Sequence, residues 1–264
     1  MAMQIFVELC KRSIQRQLTY RTAIVAGLIT NFFFGLLRAA ILTALYGSRT
    51  EVAGITIQGA VTYTGLSQAT IGFLSLFSWY QIINSVYSGD VASDLLKPMN
   101  YFSLWMAQDL GRAIIDLLLR GFSLMLAYAL LMNITSPTGW QWAALVISLF
   151  LAWLVSFSWR FLVNLVSFWS PNAIGIGRLF FMLSWFMSGF LMPLRFFPEW
   201  VSKICYLTPF PYTVNTVIEV YLGVAKGQAL IQALLGQLLW AGILILAGQI
   251  VLRAGVRRLV ILGG

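Results

Sequence analysis

TAIVAGLITNFFFGLLRAAILTALY, residues 22–46, holds a single charge, Arg38, among otherwise apolar and small side chains. As a helix rising about 1.5 Å per residue, it reaches about 37 Å, more than the roughly 30 Å hydrocarbon core of a bilayer. Five further apolar runs follow, at 55–80, 101–132, 140–166, 174–194 and 229–252. One water-surrounded core cannot hide six such runs. The composition agrees: 60% of the 264 residues are hydrophobic and 9% charged, against roughly 25% charged in a soluble domain. The sequence therefore predicts an all-α membrane protein, one domain over 1–264 with six transmembrane helices. The spans leave no room for a soluble catalytic domain, so any energy source belongs to another chain.

The counts exclude several chemistries. With no histidine, the chain lacks Ser-His-Asp and Cys-His nucleophiles, histidine metal ligands and histidine proton relays. Cys10 and Cys205 form no C-x-x-C spacing and fall on opposite sides of the expected membrane, which makes both structural. A net charge of +9 could point to nucleic acid, but the basic residues flank the spans, where bilayer orientation accounts for them. No metal, no cofactor and no nucleic-acid partner is expected.

Residues 1–21 are too polar to span. On a 100° wheel Glu8, Lys11, Arg12, Gln15, Arg16 and Thr19 take one arc, and Met3, Phe6, Val7, Cys10 and Ile14 the other. This is an interfacial amphipathic helix, retained rather than cleaved as a signal. Six spans put both termini on one side. That side collects Lys11, Arg12, Arg16, Arg21, Lys97, Arg178, Arg253, Arg257 and Arg258; the other has Arg49, Arg195, Lys203 and Lys226. By the positive-inside bias both termini are cytoplasmic.

Two connections are more than turns. Within the cytoplasmic loop 82–100, Ser88-Gly89-Asp90-Val91-Ala92-Ser93-Asp94-Leu95-Leu96-Lys97-Pro98 reads as a short helix of about two turns, with Asp90 as N-cap and Lys97-Pro98 as its end; the alternative is an ordinary interfacial loop. The external stretch 195–227 carries Pro198, Pro209 and Pro211 among many aromatics, too apolar for a solvated loop and too proline-rich for one helix. Short helices dipping into the outer leaflet are expected there.

Within the spans, Asp109, Arg112, Asp116 and Arg120 follow at spacings of three, four and four on one stripe of the third helix. They read as a polar track or partner contact, or as a ladder snorkelling to water. Arg38 and Arg160 have no carboxylate partner in their own helices, so each should meet another helix or a lipid phosphate. The second span is the most polar; Thr64, Ser67 and Gln68 suit a cavity wall or interhelical hydrogen bonds. The fifth offers Phe181, Trp185 and Phe186, adaptable surfaces or plain lipid-facing packing.

This combination resembles the permeases of ABC-2 type exporters over nearly the whole chain. The most telling pieces are Ser88-Gly89-Asp90 through Lys97-Pro98, and Ser188-Gly189-Phe190-Leu191-Met192-Pro193 running to Thr208-Pro209-Phe210-Pro211-Tyr212. Within that superfamily it is most similar to a bacterial viologen-exporter-like branch. The resemblance implies a bacterial plasma-membrane permease that pairs with a second permease, identical or homologous, and with a separate ATPase holding ATP and Mg, since no G-x-x-x-x-G-K-[ST] occurs here. It implies that Asp90, Val91, Asp94, Leu95, Leu96 and Lys97 form the coupling helix, that Thr64, Ser67, Gln68, Phe181, Trp185 and Phe186 line the substrate path, and that Phe197, Pro209, Pro211 and Glu219 form the outer gate. The implied cargo is a hydrophobic or cationic compound; relatives of the same plan carry lipids, glycolipids or polysaccharides. An ion-coupled carrier would need mid-membrane acids and repeated halves, and a membrane-embedded transferase a polar catalytic cluster. Neither pattern is present in the sequence.

Overall fold

The structure, a computed structural model, describes residues 2–258; Met1 and residues 259–264, both inside the expected 1–264 domain, lie outside the described residues. Helix occupies 77% of the chain, so the fold is all-α, as an apolar sequence that must satisfy its own peptide groups requires. Among the described residues, four helices are long and apolar enough to cross a membrane: Thr22–Tyr46, Tyr101–Leu131, Gln141–Phe168 and Gln228–Val256. Together they make this a multi-pass membrane protein.

Helix α1 (Ala2–Thr19) lies along the first part of the long helix Tyr101–Leu131. Its inward stripe is led by the small, buried Ser13, whose hydroxyl donates to the Gln108 carbonyl at 2.5 Å, while Met3 and Val7 of the expected apolar arc stay exposed. The close approach depends on Gly111, because a Cβ there would meet the Cys10 carbonyl and the Ser13 Cβ. Helix α2 (Arg21–Tyr46) follows, and Gly47 at φ 57° turns the chain out of it. A two-residue hairpin, β1 (Glu51–Val52) and β2 (Ile55–Thr56), pairs Glu51 with Thr56 and Val52 with Ile55 around Ala53 and Gly54, both at positive φ as a tight type I′ turn demands.

The second span departs from expectation. Helix α3 covers only Ile57–Leu74 of the run 55–80, with the Thr56 hydroxyl capping the Gly59 amide at 3.0 Å. It stops at Ser75, which is left-handed at φ 48° and ψ 50°. The Ser75 amide bonds the Gly72 carbonyl and the Leu76 amide the Ile71 carbonyl, the double closure of a Schellman end. After six non-helical residues, 75–80, the chain resumes as α4 (Gln81–Ser88) and then α5 (Val91–Leu95). Hydropathy could not reveal this break, because the interrupting residues, Leu76, Phe77, Trp79 and Tyr80, are as apolar as a helix would be.

The long helix Tyr101–Leu131 joins α6 (Tyr101–Ile115) to α7 (Ser123–Leu131) through a π-helical segment, Asp116–Phe122. Helix α8 (Gln141–Asn164) tightens to a 3-10 turn, Leu165–Phe168. Helix α9 (Ala173–Met187) is shorter than the 174–194 expected, because Gly189 at φ 77° turns the chain back and the Ser188 carbonyl accepts from the Asn215 amide instead of continuing a helix. The proline-rich stretch forms α10 (Glu199–Tyr206), a 3-10 turn at Phe210–Tyr212 and α11 (Asn215–Tyr221), every residue of which is buried. Helix α12 (Gln228–Val256) packs along α8. The core between α4, α6 and α8 is an aromatic stack in which Phe102, Phe157 and Phe161 meet Trp79, Trp105 and Trp153.

Candidate functional site

The break in the second apolar run organises the polar interior. A helix that ends inside apolar surroundings leaves its last carbonyls without partners, at a cost of several kcal/mol each in hydrocarbon. Here side chains of three neighbouring helices supply the missing donors. Arg112 of α6 donates to the Gly72 carbonyl at 2.5 Å and to that of Phe73 at 3.3 Å. From α8, the Ser156 hydroxyl meets the Leu74 carbonyl at 2.8 Å and the Asn164 amide the Trp79 carbonyl at 2.7 Å. Trp185 of α9 reaches the Leu76 carbonyl at 3.0 Å.

The charges form one network. Asp109 is fully buried and accepts both terminal nitrogens of Arg160 at 2.9 Å, the Trp153 indole at 2.9 Å, and Arg112 at 2.9 and 3.1 Å. Arg112 also bonds Asp116 at 2.8 Å, Arg120 lies 3.4 Å from Asp116, and Gln17 of α1 donates to Asp116 at 3.3 Å. Three cations thus face two carboxylates, and the carbonyl end of α3 adds partial negative charge. The four charges of this helix do pair in sequence as a ladder, but its Asp109 end does not reach water: Asp109 and Arg160 are sealed from solvent. Arg160 finds its acid on another helix. Sequence reasoning missed Ser156 and Asn164, yet Ser156, Arg160 and Asn164 stand at i, i+4 and i+8, a polar stripe on an otherwise apolar helix.

The expected path residues divide. Thr64, Ser67 and Gln68 are buried inside the protomer; Thr64 and Ser67 return their hydroxyls to the Val61 and Thr64 carbonyls. They are therefore not an open cavity wall within this chain, because α2, the π segment and α7 wrap α3. Phe181 is buried against Tyr80, Trp185 is half-buried and committed to the Leu76 carbonyl, and Phe186 is exposed. A small cavity of about 10 Å³, room for about one water, sits beside the break between Ser75, Ser156, Arg160, Ser184 and Thr213.

Of the outer-gate residues, Phe197 packs on Phe186 with ring centroids 5.6 Å apart, and Pro209 and Pro211 are buried. Phe210 between them rests edge-on against Trp159 of α8, 5.0 Å away. Glu219 is a clamp: its carboxylate accepts from Arg195 at 2.6 Å. The joint beside it is made by Asn215, which accepts from the Tyr63 hydroxyl at 3.1 Å and the Leu194 amide at 3.2 Å and donates to the Tyr206 hydroxyl at 2.9 Å.

On the α4–α5 segment the expectations need two corrections. Asp90 does not cap: its backbone is already helical, and its carboxylate accepts from the Ser88 hydroxyl at 2.7 Å. The helix is five residues, little more than one turn. Asp94 and Val91 face inward, Asp94 held by the Ser85 hydroxyl at 3.0 Å and by Lys97 at 2.6 Å. Leu95 packs partly against the core, leaving Asp90, Leu96 and Lys97 outward, with Leu96 85% exposed. An open groove of about 620 Å³ runs beside this knob, bordered by Arg16 of α1, Asn84, Ser88, Ser93, Trp105 and Gln108. The Tyr87 hydroxyl ties the end of α4 to the α8–α9 turn, donating to the Pro171 carbonyl at 2.7 Å and accepting from the Ala173 amide at 3.0 Å.

Long apolar helices around a sealed charge network, with a polar-rimmed knob at one end and a proline-aromatic segment at the other, define the membrane domain of a transporter. The chain belongs to the ABC-2 family of transporter proteins, whose family model matches residues 30–263. It is accordingly the permease component of such a transporter and not itself the catalyst. No curated protein matches it.

Proposed function

We propose that this chain is one of two permeases, identical or homologous, in a bacterial plasma-membrane exporter powered by a separate ATPase that holds ATP and Mg. In this reading the protein has six spans, the second made of α3, the break and α4 together, and the fifth of the short α9; both termini are cytoplasmic, and 195–227 is the re-entrant outer gate. The cargo is a hydrophobic or cationic compound, with lipids, glycolipids or polysaccharides as the alternative on the same plan. Similarity to the viologen-exporter-like branch supports such a cargo.

The observation that carries the coupling assignment is Leu96. A leucine 85% exposed on a short helix whose opposite side is pinned by Val91 and Asp94 is a preformed knob rather than a core residue. Covering it contributes about 1.5–3 kcal/mol, or roughly tenfold to a hundredfold in affinity. Motion imposed there reaches α4 directly and the break at Ser75 through five residues. ATP shifts the bundle only because it favours one of two arrangements.

The test is reconstitution with the neighbouring ATPase in liposomes. Leu96→Asp is expected to lower ATPase co-purification about tenfold or more while membrane insertion is unchanged; Asp94→Lys is a poorer probe because it also breaks the Ser85–Asp94–Lys97 contacts. Full retention of the ATPase by Leu96→Asp overturns the coupling assignment. Solute movement by the chain alone overturns the exporter reading in favour of a carrier.

A further inference from the structure

Arg38 is an intramembrane cation whose charge is not balanced. Arg112, Arg120 and Arg160 each lie within 4 Å of a carboxylate; among the described residues Arg38 has none. Its guanidinium instead uses neutral acceptors: Nη1 donates to the Ser67 hydroxyl at 3.0 Å, and Nη2 to the carbonyls of Leu191, at 2.6 Å, and Phe190. Nε makes no hydrogen bond among the described residues. The group is half-buried and directed onto α3 and the loop after α9. It lies 4.6 Å above the Phe190 ring, and Phe190 adjoins Phe77, which is itself exposed and edge-on to Trp185 at 4.4 Å. Around it α2 presents bare apolar surface in Phe34, Leu37 and Ile41. One turn earlier the buried Tyr128 hydroxyl, which makes no hydrogen bond among the described residues, lies against Gly35.

We infer that Arg38 is the headgroup site for an anionic amphiphile, a molecule with a phosphate, sulfate or carboxylate head and an apolar tail. Two considerations lead there. A charged acceptor makes hydrogen bonds about twice as strong as a neutral one and can take the guanidinium fork with two oxygens, so an anion outcompetes the Phe190 and Leu191 carbonyls. The apolar α2 surface beside the fork accepts a tail, which a free anion does not have. Binding then frees the Phe190 and Leu191 carbonyls from Arg38, so occupancy of the site loosens the tie between α2 and the loop after α9, while Ser188 and Gly189 stay held by Asn215 and Tyr63. This deepens the exporter reading and rests on it for the direction of transport, while fixing the sign of the headgroup charge against a cationic cargo.

The test uses the full chain in an uncharged detergent, titrated with phosphatidylglycerol, zwitterionic phosphatidylcholine and cationic ethylphosphatidylcholine of identical acyl chains, with bound lipid read by native mass spectrometry. Phosphatidylglycerol is expected to bind about tenfold tighter than the cationic lipid, and Arg38→Gln to bring it to the phosphatidylcholine level. Arg38→Lys, which keeps charge and loses the fork, retains part of the preference and covers the case in which the glutamine variant does not fold. Equal binding of the three lipids by the unmodified chain, or an undiminished preference in folded Arg38→Gln, overturns the site. Displacement of phosphatidylglycerol by inorganic phosphate alone overturns the amphiphile assignment. Binding as expected without any ATPase stimulation in the reconstituted complex upholds the site and sinks the exporter reading, so the two failures are distinct.

Discussion

Replacing Asp109 by asparagine removes the one acid that Arg160 has and one of two that Arg112 has, while leaving the side chain's volume almost unchanged. Five N–H donations converge on that carboxylate, from Arg112, Arg160 and Trp153. The asparagine amide can accept some of them but brings two donors of its own into a site already made of donors. Arg160, with a side chain 1% exposed, cannot reach water to compensate. Breaking a buried pair from one side costs about 3–5 kcal/mol. If that loss falls on the unfolding step, the half-life at a fixed temperature shortens by about a hundredfold to several thousandfold. The assay is the decay of monodisperse protein on heating in neutral detergent, followed by fluorescence-detected size exclusion, because such proteins unfold irreversibly and report a rate. The double variant Asp109→Leu with Arg160→Met removes both charges and is expected to recover most of the loss, to within about 1–2 kcal/mol of the parent. A single Asp109→Asn variant within twofold of the parent half-life, or a double variant no better than the single, would refute the view that this ion pair seals the break.

Other consequences follow from the close contacts. Ser75→Gly, at a left-handed position, should stabilise the chain by about 0.5–1 kcal/mol, and Ser75→Val should destabilise it by about 1–2 kcal/mol, measured as opposite shifts in the same heating assay; equal effects would place the strain elsewhere. Gly111→Leu should prise α1 off α6, since even a Cβ there meets the Cys10 backbone. Burial pushes the Cys10 thiol above its ordinary range, so maleimide labelling of Cys10 is slow at neutral pH and quickens as pH rises toward the thiolate. In Gly111→Leu, with α1 displaced, labelling at pH 7 should be several-fold faster; an unchanged rate would mean that α1 does not depend on this contact.

Much of the architecture was legible because hydrocarbon is a strict solvent. Apolar runs of more than 20 residues can only be helices in or against lipid, so the first, third, fourth and sixth runs return as helices within a few residues of where composition puts them. The second and fifth did not, for a local reason. Ser75 and Gly189 carry positive φ, and a left-handed residue is decided by what its freed carbonyls meet, which hydropathy does not encode. The interior polar residues were legible as types but not as partners. Asp109, Arg112 and Asp116 form a stripe in one helix, whereas the tie from Asp109 to Arg160 spans two helices.

What the sequence by itself determined is the number and polarity of its apolar runs, the absence of histidine chemistry and of a phosphate loop, and the amphipathic character of the entry helix, because each depends only on residue type and period. Only the tertiary structure decided that the second apolar run breaks inside the bundle, that Arg160 is neutralised while, among the described residues, Arg38 is not, and that Asp94 turns inward while Leu96 turns out. Those outcomes depend on which donors and acceptors meet once helices pack, and in a dry interior an unmet charge or carbonyl costs more than any local preference of the chain.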